Sequence, residues 1–131
     1  MDFLTITLPS GRKLYYAHPE LDQNAWGNPA ILYWGVNQTT KQWTLIDTFG
    51  GKIVENAVQS VARDCLAVAI ERLESAGYPI IFHVHDEVVI ECDKDKADLS
   101  KVVEIMKTPT TWAQGLPIDA DGWVGNFFRK D

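Results

Sequence analysis

Three observations predict an α+β fold. Within the first fifty residues, short blocks of alternating apolar residues are separated by turn-forming residues. A single long segment, Lys52 to Ala76, then repeats its apolar residues at helical spacing. After it, two apolar runs flank a short polar centre in Ile80-Ile81-Phe82-His83-Val84-His85-Asp86-Glu87-Val88-Val89-Ile90. Period two marks strands and period 3.6 marks helices. Together they predict an antiparallel sheet with Asp86 at a hairpin turn, packed against one long and one shorter helix. At 131 residues and 46% hydrophobic composition the chain can bury a sizeable core. We expect one domain over 1–131, with a small β region over 1–49 and a helix–hairpin–helix–tail core over 50–131.

The elements follow in order. Phe3 to Leu8 alternates, Pro9-Ser10-Gly11 turns, and Arg12 to Tyr16 continues, which is a β-hairpin signal. Residues 17–29 read as turn-rich, with Pro19, Gly27, Asn28 and Pro29. Ile31 to Val36 and Gln42 to Ile46 form a second strand pair joined by polar residues, so the opening third is a small sheet of aromatic-bearing strands.

Gly50-Gly51 punctuates the chain before the long helix. Val54, Val58, Val61, Cys65, Leu66, Ala69 and Leu73 form its apolar stripe, and Gly77 with Pro79 stops it. Lys52, Asn56, Gln59 and Arg63, at offsets of four, seven and eleven, share a polar stripe. An ordinary solvated helix face accounts for that stripe as well. Asp93 to Lys107 reads as a second amphipathic helix with Leu99, Val102, Val103 and Met106 inward. Trp112, Trp123, Phe127 and Phe128 in the tail suggest a docked end.

The formal net charge of −6 argues against a free-standing nucleic-acid binder, though not against local basic contacts or a basic partner. Two cysteines, Cys65 and Cys92, fit buried thiols in a reducing compartment. No apolar run reaches transmembrane length and the N-terminus lacks a signal-peptide pattern, so the expected location is cytoplasmic, with no membrane partner.

Asp86 and Glu87 at the tip of a buried hairpin are costly to place unless something uses or neutralises them. A divalent metal would do so. A tight turn with solvated acids explains the same residues, because turns favour Asp.

The run Gly50-Gly51-Lys52-Ile53-Val54-Glu55-Asn56-Ala57-Val58-Gln59-Ser60-Val61-Ala62-Arg63-Asp64, followed by strand-borne His85-Asp86-Glu87, resembles the C-terminal palm of family A DNA polymerases, in particular the phage-type branch. Trp112 to Pro117, Asp121 to Gly125, and Leu8 to Arg12 resemble the same branch, so the likeness covers essentially the whole chain in order. The resemblance implies that Asp86 is a carboxylate ligand of catalytic Mg2+. Glu87 would be its neighbour in that metal site, near the primer end and less central, and His85 would lie close to the primer terminus. It places Gln59 at the minor-groove edge near the nascent pair. With Gln59, the stripe residues Arg63, Lys52 and Asn56 would face duplex DNA. Four residues before Gln59, where many relatives carry Asn, this chain has Glu55. Two before His85, where many carry Gln, it has His83.

Two-metal phosphoryl transfer needs carboxylates that hold cations roughly 3.5–4 Å apart. The family supplies a second Asp from an Asp-x-Ser-x-Ile-Glu motif, which this sequence lacks, as it lacks the fingers helix that grips the incoming nucleotide. The resemblance therefore implies a portion of a DNA-directed DNA polymerase that is inactive alone. Its partners would be primer–template DNA, dNTP, and the missing fingers, thumb and remaining palm, in the same or a separate chain. Two other readings stay open. One is an independent metal-dependent hydrolase built on His83, His85, Asp86 and Glu87, since two His and a carboxylate could hold zinc or iron. The other is a non-catalytic polymerase remnant.

Overall fold

A computed structural model describes residues 2–129. Four strands, β1 (Phe3–Thr7), β2 (Lys13–Gln23), β3 (Pro29–Val36) and β4 (Trp43–Thr48), form an antiparallel sheet in the order β1-β2-β3-β4. The helix α1 (Gly50–Ser75) follows, then the hairpin β5 (Ile80–Val84) and β6 (Glu87–Ile90), then α2 (Leu99–Lys107). This is the α+β fold that the periodicities predict. The Asp86 hairpin is a two-stranded sheet of its own, separate from the four-stranded one. By internal contacts the chain divides into two compact units, Met1–Val61 and Ala62–Asp131, with the division inside α1. Among the described residues, no helix is long and apolar enough to cross a membrane.

In the first unit, alternation sorts the sheet into two faces. Leu4 pairs with Tyr16, Ile6 with Leu14, and Tyr33 with Ile46, and this inner face holds the buried Tyr16. Tyr16 and Tyr33 meet edge to face with centroids 4.9 Å apart. The inner face is tied to α1 by two hydrogen bonds. Asn56 Nδ2 donates to the Tyr16 hydroxyl at 3.1 Å, and an Arg12 guanidinium nitrogen donates to the Ser60 carbonyl at 3.2 Å. Arg12 reaches this position from a tight turn in which Gly11 takes φ +93°, a conformation that disfavours side chains with a Cβ.

Residues 17–29 differ from the expected run of turns. β2 continues to Gln23 through an irregularity between Ala17 and Glu20, where His18 takes φ 47°. A bulge is one of the few places where a strand accepts a proline such as Pro19. The actual turn is confined to Asn24–Asn28, where Asn24 Oδ1 accepts from the amides of Trp26 and Asn28.

The apolar stripe of α1 holds over its second half, where Leu66, Ala69 and Leu73 are buried. Val54 and Val58 are exposed, contrary to expectation. Over the first half the helix instead covers Ile53, Asn56, Ala57 and Ser60, a face turned away from those valines. The helix ends in a Schellman arrangement: Tyr78 N donates to Leu73 O, Gly77 N donates to Glu74 O, and Gly77 takes φ +90°. Leu73 and Tyr78 are both buried at this closure.

In the second unit, α2 begins at Leu99, not Asp93. Asp98 caps it by accepting from Lys101 N at 3.1 Å, and Lys94–Lys96 forms a separate 3-10 turn. Leu99, Val102, Val103 and Met106 are half-buried, on the inward side as expected. The tail is less buried than its aromatics suggest. Phe128 meets Phe82 edge to face at 5.2 Å, yet Trp123, Val124, Phe127 and Phe128 remain exposed. Both cysteines are free. Cys65 is half-buried, and burial, with Asp64 next, pushes its thiol pKa up; Cys92 is exposed because it lies beyond the end of β6.

Candidate functional site

The helix terminus delivers the hairpin. Glu74 Oε1, in the last turn of α1, accepts from Ile80 N at 2.9 Å and fixes the start of β5. The β5–β6 register pairs His83 with Val88 and Val84 with Glu87, leaving His85 and Asp86 as a two-residue turn. His85 takes φ 51°, the left-handed region in which histidine is enriched among non-glycine residues. A positive φ at the first central position suits a two-residue hairpin, because it matches the twist of the strands.

This geometry separates the two acids. Asp86 is exposed at the tip, as is His85, while Glu87 is half-buried with its Oε1 enclosed. Asp86 therefore offers carboxylate oxygens outward. Magnesium takes oxygen ligands and is commonly held by one or two carboxylates plus substrate phosphates. The outward Asp86 fits one part of such a site. Among the described residues, no three His, Cys, Asp or Glu side chains gather to hold a metal ion. His83, His85 and Asp86 are thus not assembled as a closed zinc or iron site, because His83 lies along the strand while His85 and Asp86 sit in the turn.

On α1, Lys52, Gln59 and Arg63 are exposed, as their shared stripe predicts. Asn56 departs from that stripe. It is half-buried and its amide is committed to Tyr16, which places it on the sheet side of the helix. Glu55, noted in the sequence only as a departure from the family's Asn, joins the group through its side-chain bonds. Its Oε1 accepts from Gln59 Nε2 at 3.4 Å and its Oε2 lies 3.5 Å from Lys52 Nζ. The i,i+3 and i,i+4 spacings around Glu55 were the signal that could have revealed it. Arg12 and Tyr16 were also missed as the residues that hold the first half of α1; the inward phase of Tyr16 in its strand was the available clue.

The chain is 47% identical over 129 residues to a DNA polymerase of Bacillus phage SP02. The match takes in 98% of this chain and 20% of that polymerase, so the chain spans about a fifth of its relative's length. No family model matches the chain. No solved structure matches it.

Proposed function

We propose that this chain is the C-terminal palm portion of a phage-type family A DNA-directed DNA polymerase. The observation that carries the reading is the 47% identity, sustained over nearly the whole chain, to one stretch of a phage DNA polymerase. The exposed Asp86 at the tip of a two-residue hairpin turn supports it. Phosphoryl transfer is catalysed chiefly by positioning and electrostatic stabilisation, which favours a carboxylate held on a short, well-defined turn.

In the complete enzyme Asp86, with Glu87 as its neighbour, would hold Mg2+, and His85 would lie close to the primer terminus. Bound Mg2+ supplies charge neutralisation on the transferring phosphate. Gln59, with Arg63 and Lys52, faces duplex DNA. Asn56, included with them on spacing alone, acts one step back by bonding to Tyr16 and holding the helix turn that carries Gln59. The remaining palm, fingers and thumb provide a second carboxylate, the nucleotide grip and most of the basic DNA surface, and this chain alone does not extend a primer.

The test replaces the matching fifth of the Bacillus phage SP02 polymerase with this chain. The chimera is expected to extend a primer, the chimera with Asp86→Ala to lose nearly all extension, and the separate chain to show none. A well-folded chimera without activity would favour the non-catalytic remnant.

A further inference from the structure

The outer face of the four-stranded sheet inverts the usual pattern. An antiparallel sheet with one face on a core ordinarily turns polar residues outward. Here the register places Phe3 and Tyr15, then Trp34 and Val36, then Trp43 and Leu45 on the side opposite Tyr16 and Tyr33. All six are exposed, Tyr15 at 61% and Trp43 at 58%. Phe3 and Tyr15 already pack edge to face at 5.6 Å, and Trp34 lies directly across from Leu45. The side chains therefore form a continuous apolar surface across all four strands. Exposed apolar surfaces of this kind, as opposed to single scattered residues, mark interaction sites.

We infer that this aromatic face is a protein-docking surface, covered in the complete polymerase by an apolar surface from the segments outside this chain. The inference rests on the proposed function. Two observations select the occupant. The phage relative is about five times as long as the stretch matched here, so a complete enzyme of that size has ample polypeptide to cover the face. The charge on the face disfavours nucleic acid. The same register sets Glu20 and Asp47 on this side, with Lys13 as the basic residue. Sheets that stack bases on aromatic rings combine them with a positive groove for the backbone. Val36 and Leu45, which cannot stack on bases, further suit the core of a protein interface.

The probe is the Bacillus phage SP02 polymerase with its matching fifth deleted, purified as a separate chain and titrated with this protein. Wild type is expected to bind. The double variant Trp43→Lys/Leu45→Lys should bind at least about tenfold more weakly, the loss expected when central aromatic contacts are removed. Lys41→Ala, in the β3–β4 loop, should bind as wild type. Circular dichroism checks folding; should the first pair misfold, Tyr15→Lys/Val36→Lys carries the same expectation. Unchanged binding by a folded double variant overturns the inference, as does failure of wild type to bind a probe that circular dichroism shows to be folded. Should the probe misfold, the double variant is expected to lower the thermal midpoint of the covalent chimera more than that of the separate chain, and equal effects overturn the inference. A dimer of this chain that the double variant dissolves would assign the face to a second copy. Quenching of tryptophan fluorescence by oligo(dT), lost in the variant, would assign it to single-stranded DNA. Either result overturns the proposal. Extension by the covalent chimera reports on the functional reading separately, so the two can fail independently.

Discussion

The Asn56 side-chain amide donates to the Tyr16 hydroxyl at 3.1 Å, joining a polar helix position to a buried strand tyrosine. Hydrogen bonds of this kind contribute about 0.5–1.5 kcal/mol net, and more is lost when a buried partner is left unsatisfied. Asn56→Ala should therefore destabilise the chain by about 1 kcal/mol, and Tyr16→Phe should cost a similar amount. In a double-mutant cycle read by urea midpoints, the two losses should be less than additive. Strict additivity would mean that the bond contributes nothing.

The turn residue His85 carries a backbone cost. At φ 51° it occupies the left-handed region, which costs an L-residue roughly 1–2 kcal/mol. His85→Gly should preserve or raise stability, whereas His85→Val, branched at Cβ, should lower it by about 1–2 kcal/mol relative to the glycine variant. Equal urea midpoints for the two variants would show that the turn relaxes to another conformation.

Alkaline pH should act through Tyr33. Burial, and next the neighbouring Tyr16, holds its hydroxyl pKa above the usual tyrosine value. An acid whose folded pKa is raised retains its proton longer in the folded state. Its contribution is complete below the unfolded pKa of about 10 and is lost as pH rises through the folded value. Wild type should therefore lose stability relative to Tyr33→Phe as pH rises through the usual tyrosine value of about 10 and above it. Urea midpoints across that range check it, and a gap that stays constant with pH would contradict it.

Much of this architecture was legible because local chemistry and tertiary packing agree. Gly77 followed by Pro79 marks the end of α1, and the structure closes it there with buried Leu73 and Tyr78. The hairpin around Asp86 is equally plain, since two apolar runs flank a short polar turn. The differences arise where one residue type serves two roles. Asp93 and Asp98 are both plausible helix caps, and only the bond from Lys101 N distinguishes Asp98. Asn56 fits a polar stripe by spacing but faces the sheet, because a tyrosine hydroxyl there gives its amide a partner. Val54 and Val58 extend an apolar stripe whose first half this chain leaves bare.

The two acids of the hairpin should separate in their effects. Asp86 is exposed at the tip, so Asp86→Ala should change stability by no more than about 0.5 kcal/mol. In the SP02 chimera the same substitution should reduce primer extension by several orders of magnitude. Glu87 is half-buried with one carboxylate oxygen enclosed, so Glu87→Ala should cost stability but far less rate. Rate losses of equal size would contradict the proposed primacy of Asp86 over Glu87.

Glu55 should modulate the side of α1 that we propose meets DNA. It takes one hydrogen bond from Gln59 and lies within ion-pair distance of Lys52, and exposed pairs at these spacings contribute only about 0.2–0.5 kcal/mol each. In the proposed complex DNA would displace them easily, while the carboxylate itself would still repel phosphate. Gln59 can donate and accept, which suits the acceptors common to every base pair in the minor groove, so its contact would sense pair shape and not sequence. In the chimera, Gln59→Ala should weaken primer-template binding and extension with little effect on folding. Glu55→Gln should strengthen binding, most clearly at low salt, where charge repulsion is least screened. Lys52→Ala and Arg63→Ala should each reduce the salt slope of binding by about one where the side chain neutralises a phosphate. A face that only meets solvent predicts instead that Gln59→Ala and Glu55→Gln leave DNA affinity and extension unchanged, and that result would remove α1 from the DNA interface.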